Sequence, residues 1–267
     1  MEPDELLEAG GRALDASVHR LATAIRPLTE LNQALPGSTW TAREAIAHLV
    51  TAMDLYTEIA TGTPSPVTEF STASFEDDNR RRIADVSETD AAKLAYLLED
   101  ATARFLSALR GQAGNQTVTW HAGMQVDLAT LVALMLGEVV LHGYDVATAY
   151  QQPWPLGIGD VALVLGAYAP CYERCVNTER TRGLTVAYEI EVRGVARFVV
   201  RFDDGRYSLT LPGPEPVDCT ISADPVAFLL VGSGRLERWP AIALGLVEAG
   251  GSRPEMALEF NDLFIFP

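Results

Sequence analysis

Six positions in one stretch, Leu128, Leu131, Met135, Glu138, His142 and Asp145, step by three or four and so share one face of a helix. That face opens apolar and ends as carboxylate, imidazole, carboxylate. An unpaired carboxylate is costly to bury, so either the stripe emerges into solvent or Glu138 has a partner. Glu138 and His142, at i and i+4, can aim at a single atom, as metal ligands do in helix bundles. His48, among the small or apolar neighbours Ala45, Leu49 and Ala52, supplies a third ligand from another helix. His, Glu and His leave a fourth coordination position open, the arrangement of catalytic rather than structural zinc. Plainer roles fit the same residues: a hydrogen-bonded core histidine and an ordinary i,i+4 pair. Asp145 either orients a histidine from behind or faces solvent near the helix end. His19 and His121 share no face with a second candidate ligand and read as surface or loop residues.

These side chains need a scaffold, and residues 1–155 read almost wholly as helix. Apolar spacing predicts helices over about Asp4–Leu28, Thr41–Gly62, Asp90–Arg110 and Asp127–Tyr150. Thr41 with Glu44 forms a capping box, Asp127 is an N-cap, and Pro153 and Pro155 end the last helix. A shorter helical piece is expected around Phe75–Ala84, and a small β excursion at Val118–Val126 around Ala122-Gly123. Four long helices joined by loops pack as a four-helix bundle. Beyond Pro-Trp-Pro the period changes. Residues 156–267 read as an α+β domain, a small antiparallel sheet packed by helices. Its strands are expected at Leu184–Val192, Ala196–Phe202, Tyr207–Leu211 and Asp218–Ser222, with a hairpin turn at Asp204-Gly205. Its helices are expected at Gly159–Val176, from Asp224-Pro225 onward, at Trp239–Ala249 and at Pro254–Phe264.

The 267 residues hold 36 acids against 20 bases, a formal net charge of −16. With 48% hydrophobic residues the composition is globular, and the charge argues against nucleic acid and anionic lipid as partners. The acidic N-terminus does not read as a signal peptide, and no run of 18 uncharged apolar residues suggests a membrane span. Cys171, Cys175 and Cys219 are odd in number, lack metal-site spacing and read as buried free thiols of a cytoplasmic protein. Nineteen of the 20 bases are arginine, the skew of a GC-rich genome.

Two segments resemble a known family. Trp40-Thr41-Ala42-Arg43-Glu44-Ala45-Ile46-Ala47-His48-Leu49 is similar to the "W-T-x-R-D-x-x-A-H-L" helix of mycothiol-dependent maleylpyruvate isomerases. Glu138-Val139-Val140-Leu141-His142-Gly143-Tyr144-Asp145 is similar to that family's "E-x-x-x-H-G-x-D" segment. The resemblance covers residues 1–155 and implies a DinB-like bundle in which His48, Glu138 and His142 hold a divalent metal, zinc. It also implies an essential arginine in the region of Arg80, Arg81 and Arg82. The second half resembles a sterol-carrier-protein-type domain through Ser222-Ala223-Asp224-Pro225, Leu229 to Gly234, Trp239–Ala249 and Gly250-Gly251. Ser252 stands where that pattern has an acid, so a wall of the active site or an oligomer interface competes with lipid carriage.

What the resemblance implies chemically is a zinc- and mycothiol-dependent isomerase, or thiol S-transferase, acting on a small and anionic electrophile; the arginine-rich composition is compatible with an actinobacterial source. A zinc-bound thiol is a thiolate at neutral pH, able to add to an electron-poor double bond. Against the global charge, the Arg80–Arg82 run is the local cationic exception that such a substrate needs. A metal-dependent hydrolase on the same bundle and a non-enzymatic apolar-ligand carrier are the competing readings.

Overall fold

The computed structural model describes residues 1–266, and the chain forms two compact units, Met1–Ala167 and Tyr168–Pro267. The first unit contains α1 (Pro3–Ile25), α2 (Ala42–Ala60), α3 (Thr72–Asp85), α4 (Ala91–Ala108), strands β1 (Thr117–Thr119) and β2 (Gln125–Asp127), α5 (Leu128–Ala149) and α6 (Ile158–Tyr168). The division falls just before the last residue of α6, so nearly all of that helix joins the first unit.

Local signals start the helices where the sequence predicts. Glu44 Oε2 accepts from Thr41 N at 2.8 Å while Thr41 Oγ1 accepts from Glu44 N, which closes the capping box of α2. Asp90 and Asp127 cap α4 and α5 by accepting from Lys93 N at 2.9 Å and Thr130 N at 2.7 Å. α1 and α2 each pack against both α4 and α5, which closes the four long helices into a bundle, and α3 lies along α2. Its core is built from Leu14, Leu21 and Ile25 of α1, Ile46, Leu49 and Met53 of α2, Leu94 and Phe105 of α4, and Leu131 and Met135 of α5. α5 has the length and mean apolarity of a membrane span, though Glu138, His142 and Asp145 interrupt its apolar run. Yet 72% of its most apolar window is buried inside the unit, so its all-round apolarity is that of a central core helix.

The second unit contains α7 (Thr178–Thr181), β3 (Thr185–Val192), β4 (Ala196–Asp203), β5 (Arg206–Thr210), β6 (Cys219–Ala223), α8 (Pro225–Gly232), α9 (Arg238–Ala243) and β7 (Val247–Gly251). The sheet order is β5-β4-β3-β6-β7. Three pairings are antiparallel, while β3 and β6 run parallel because residues 211–218 carry the chain back before β6 begins. Asp204 and Gly205 take the positive φ values, 49° and 82°, that the tight β4–β5 hairpin requires. Asp224 caps α8 by accepting from Val226 N and Ala227 N. Tyr188, Phe202 and Phe260 fill the centre, and the three cysteines are buried and free.

Three expected helices differ in the structure. Gly159–Val176 is helical only to Tyr168, then tightens into a 3₁₀ stretch (Ala169–Cys175) in which Pro170 removes a backbone donor. Trp239–Ala249 divides into α9 and β7. Gly245, at φ 68°, stops the helix, and Val247 pairs with Ala223 at the edge of the sheet. Pro254–Phe264 is two 3₁₀ turns, Pro254–Leu258 and Phe260–Leu263.

Candidate metal centre and active site

Within the first unit α2 and α5 pack side by side, bringing together residues ninety positions apart. His48 Nε2 lies 3.3 Å from Glu138 Oε2, and His142 Nε2 lies 3.5 Å from the same oxygen. One ligand atom from each residue lies within 4.8 Å of the other two. Burial pushes the His48 imidazole below its usual value, with the Glu138 hydrogen bond opposing. Burial alone would raise the Glu138 carboxyl; hydrogen bonds from His142 and His48, with their charges, outweigh it and hold Glu138 well below the usual carboxylate range.

This donor set fits a divalent metal. Two imidazoles and an ionised carboxylate are ligands for a borderline cation such as zinc. Tetrahedral ligands at about 2.1 Å from zinc stand about 3.4 Å apart, which matches both nitrogen–oxygen separations. Asp145 is buried, not solvent-facing, and its Oδ2 lies 3.4 Å from His142 Nδ1. Asp145 thus stands on the Nδ1 side of the ring while Nε2 faces Glu138, as a carboxylate stands behind a metal-ligating histidine. Asp145→Asn is expected to weaken metal affinity about 10–100-fold, measured by chelator competition. An unchanged affinity would show that Asp145 has no such role.

Three further residues belong to the site. The Trp40 ring stands 5.0 Å from His48 and 5.6 Å from His142 between centroids, a partial cover over both imidazoles. Asn79 of α3 lies close enough to His48 to oppose the lowering of its pKa. His121, expected at the surface or in a loop, lies in the turn at the tip of the β1–β2 excursion but is buried there, with Ser65 Oγ 2.6 Å from its Nδ1. Trp40 carried a signal, since it opens the recognisable helix-two segment. Asn79 and His121 carried none, because only the packing of α3 and the hairpin brings them near. His19 is exposed beside Glu99, as expected.

Burial pushes the His121 imidazole down to about 4, against the opposing charges of Glu138 and Asp78. Its folded pKa lies below its unfolded value of about 6.5, so the unfolded state takes up the proton first as pH falls. The stabilising contribution is therefore complete above about pH 6.5 and is lost progressively toward pH 4, by about 3 kcal/mol. Denaturant titrations at pH 7 and pH 4 should show this loss in the wild type and less of it in His121→Phe. Equal losses in both would place the acid sensitivity elsewhere.

The three arginines sit inside α3. Arg80 pairs with Asp77 at 2.7 Å and Arg81 with Asp78 at 3.3 Å, and their side chains are 72% and 76% exposed. Arg82 is only 25% exposed, and its Nε donates to the buried Asp78 at 2.7 Å. Phe75, Asn79 and Arg82 follow one another at helical spacing, so Arg82 alone of the three shares the face that touches His48 and His121. A separate cleft of about 360 Å³, between Leu28–Gln33 and Tyr150, includes none of these residues.

Residues 12–147 match the family model described as the mycothiol maleylpyruvate isomerase N-terminal domain. Among solved structures, the chain is similar to the mycothiol-dependent maleylpyruvate isomerase, with 18% identity and a TM-score of 0.56, covering 94% of this chain and 93% of that one. A histidine-to-alanine mutant of a mycothiol-dependent maleylpyruvate isomerase matches at 16% identity and a TM-score of 0.52, with the same coverage. At these identities the likeness is one of fold. No curated protein matches significantly.

Proposed function

The chain belongs to the mycothiol maleylpyruvate isomerase N-terminal domain family, a family of enzymes, and from that premise we propose that it is a mycothiol-dependent isomerase of a small conjugated electrophile. The observation that carries the reading is the His48–Glu138–His142 cluster, with one ligand atom from each residue within 4.8 Å of the other two. A zinc ion held there would keep a coordinated thiol ionised at neutral pH.

The chain's own residues do the rest. Asp145 stands behind His142, and Asn79 acts on His48 from α3. Trp40 shields both imidazoles from bulk water. The thiolate of mycothiol adds to the electron-poor double bond, forming a sulfur–carbon bond and moving the electron pair onto the conjugated carbonyl as an enolate. Rotation about the new single bond, return of that electron pair and loss of the thiolate give the trans product with nothing consumed. The enolate needs a donor or cation beside it, and Arg82 is the arginine whose face supports that role. Reading the second unit as sterol-carrier-protein-like, and the protein as cytoplasmic, belongs to the same proposal.

The test is turnover of maleylpyruvate by purified protein with and without mycothiol, alongside metal analysis. Thiol-dependent formation of the trans isomer, with about one zinc per chain, is the expected result. A stable thioether in place of the trans product would mark an S-transferase. Turnover indifferent to mycothiol would overturn the reading in favour of a hydrolase.

A further inference from the structure

His121 lies outside the donor cluster, yet its surroundings are those of a positioned polar group. Ser65 Oγ stands 2.6 Å from Nδ1 and also accepts from the Val67 amide at 3.2 Å. The serine hydroxyl keeps its own hydrogen while accepting from Val67, and in the Nε2–H tautomer Nδ1 is the acceptor beside it. A bond of that sense places the imidazole proton on Nε2. Aromatic rings hold the imidazole, with centroids of Trp120, Phe75 and Tyr56 at 4.5, 5.1 and 6.2 Å. Nε2 itself meets no hydrogen-bond partner among the described residues, and it is not one of their sealed polar atoms.

Two helices set this imidazole against the donor cluster. On α2, Tyr56 touches His121 and lies two turns beyond His48 on the same face. On α3, Phe75 touches His121 and lies one turn before Asn79, which acts on the His48 imidazole. At about 5.4 Å per turn, His121 stands about 5–11 Å along from His48, the length of a small conjugated acid. Asp78 and Arg82 of the same α3 face act on it electrostatically, as do Glu138 and His48.

We propose that His121 donates its Nε2–H to the conjugated carbonyl or carboxylate oxygen of the electrophile, and that Ser65 is the residue positioning that proton. The substrate class is then a small unsaturated acid whose double bond lies toward His48, Glu138 and His142 while its oxygen terminus reaches the β1–β2 tip. Burial keeps the imidazole neutral at working pH, so it acts as a hydrogen-bond donor without bringing a second cation into the site. As a catalytic role this rests on the isomerase reading above; as an anion-binding role it does not.

Two measurements on the full chain test it: kinetics with mycothiol and maleylpyruvate, and ¹⁵N spectra of histidine-labelled protein titrated with maleate. His121→Phe keeps an aromatic ring in the nest but has no Nε2–H. It should lower kcat/KM about 100-fold with metal content unchanged. His121→Gln, which restores a donor, should recover part of that loss. Ser65→Ala should move the His121 spectrum away from the Nε2–H tautomer and raise KM more than it lowers kcat. Maleate should shift the Nε2 resonance of the wild type. Wild-type kcat/KM in His121→Phe, or an Nε2 resonance that maleate leaves in place, overturns the proposal. Should the wild type fail to isomerise maleylpyruvate, the isomerase reading falls while the maleate titration still decides the role of His121.

Discussion

Replacing His142 with alanine is expected to leave purified protein with little bound metal and to lower turnover about 1000-fold. The magnitude follows from sharing the binding energy among ligands. Zinc held by protein side chains is worth about 10–16 kcal/mol, so one of three ligands carries about 3–5 kcal/mol, a factor near 1000 in affinity. Among the described residues no fourth His, Cys, Asp or Glu joins this cluster to stand in for His142. The fold should survive, since the His142 side chain is partly exposed and the bundle core lies in other residues. His19→Ala is the control: it removes an exposed histidine paired with Glu99 and should leave metal content unchanged. Metal analysis with circular dichroism checks both. A fully metallated His142→Ala protein would remove the basis for the metal centre.

Gly143→Ala is expected to destabilise the first unit by about 2–3 kcal/mol, the upper part of the range for overpacking. Alanine is ordinarily the better helix former, worth about 1 kcal/mol in its favour. Here a Cβ would fall well inside van der Waals contact with Cζ2, Cη2 and Cε2 of Trp154. Trp154 is not free to retreat. Its Nε1 donates to Val140 O at 3.1 Å, and the Arg20 guanidinium lies 5.2 Å above its ring, with Nη1 donating to Pro155 O at 2.8 Å. Because His142 is the preceding residue, relief of the clash by moving α5 would also disturb the donor cluster. Thermal denaturation should show the loss as a fall of several degrees in Tm, with weakened metal affinity alongside. An unchanged Tm would mean that Trp154 can leave Gly143 at no cost.

α5 illustrates why so much of the site was legible. Its ligands repeat at the helical period, so Glu138, His142 and Asp145 on one face follow from spacing alone, and Asp127 announces where that face begins. The same logic failed at Trp239–Ala249. Residues 247–251 have helix-compatible spacing but become β7, because β6 offers an unpaired edge that is invisible along the chain. Arg80, Arg81 and Arg82 were readable as a charged run, not as a register. Only the packing of α3 against α2 separates Arg82 from its two exposed neighbours.

Residue types and local period therefore settled, from sequence alone, the four long helices, their caps, the α+β character of residues beyond the Pro-Trp-Pro boundary and the identity of three candidate ligands. These depend on interactions within a few residues, which the order of the chain records directly. Tertiary structure alone decided the meeting of His48 with Glu138 across ninety positions, the burial of Asp145 behind His142, the parallel β3–β6 pair and the enclosure of His121 by Ser65, Phe75 and Trp120. Those depend on which faces pack together, a property of the closed bundle and sheet that no window of sequence contains.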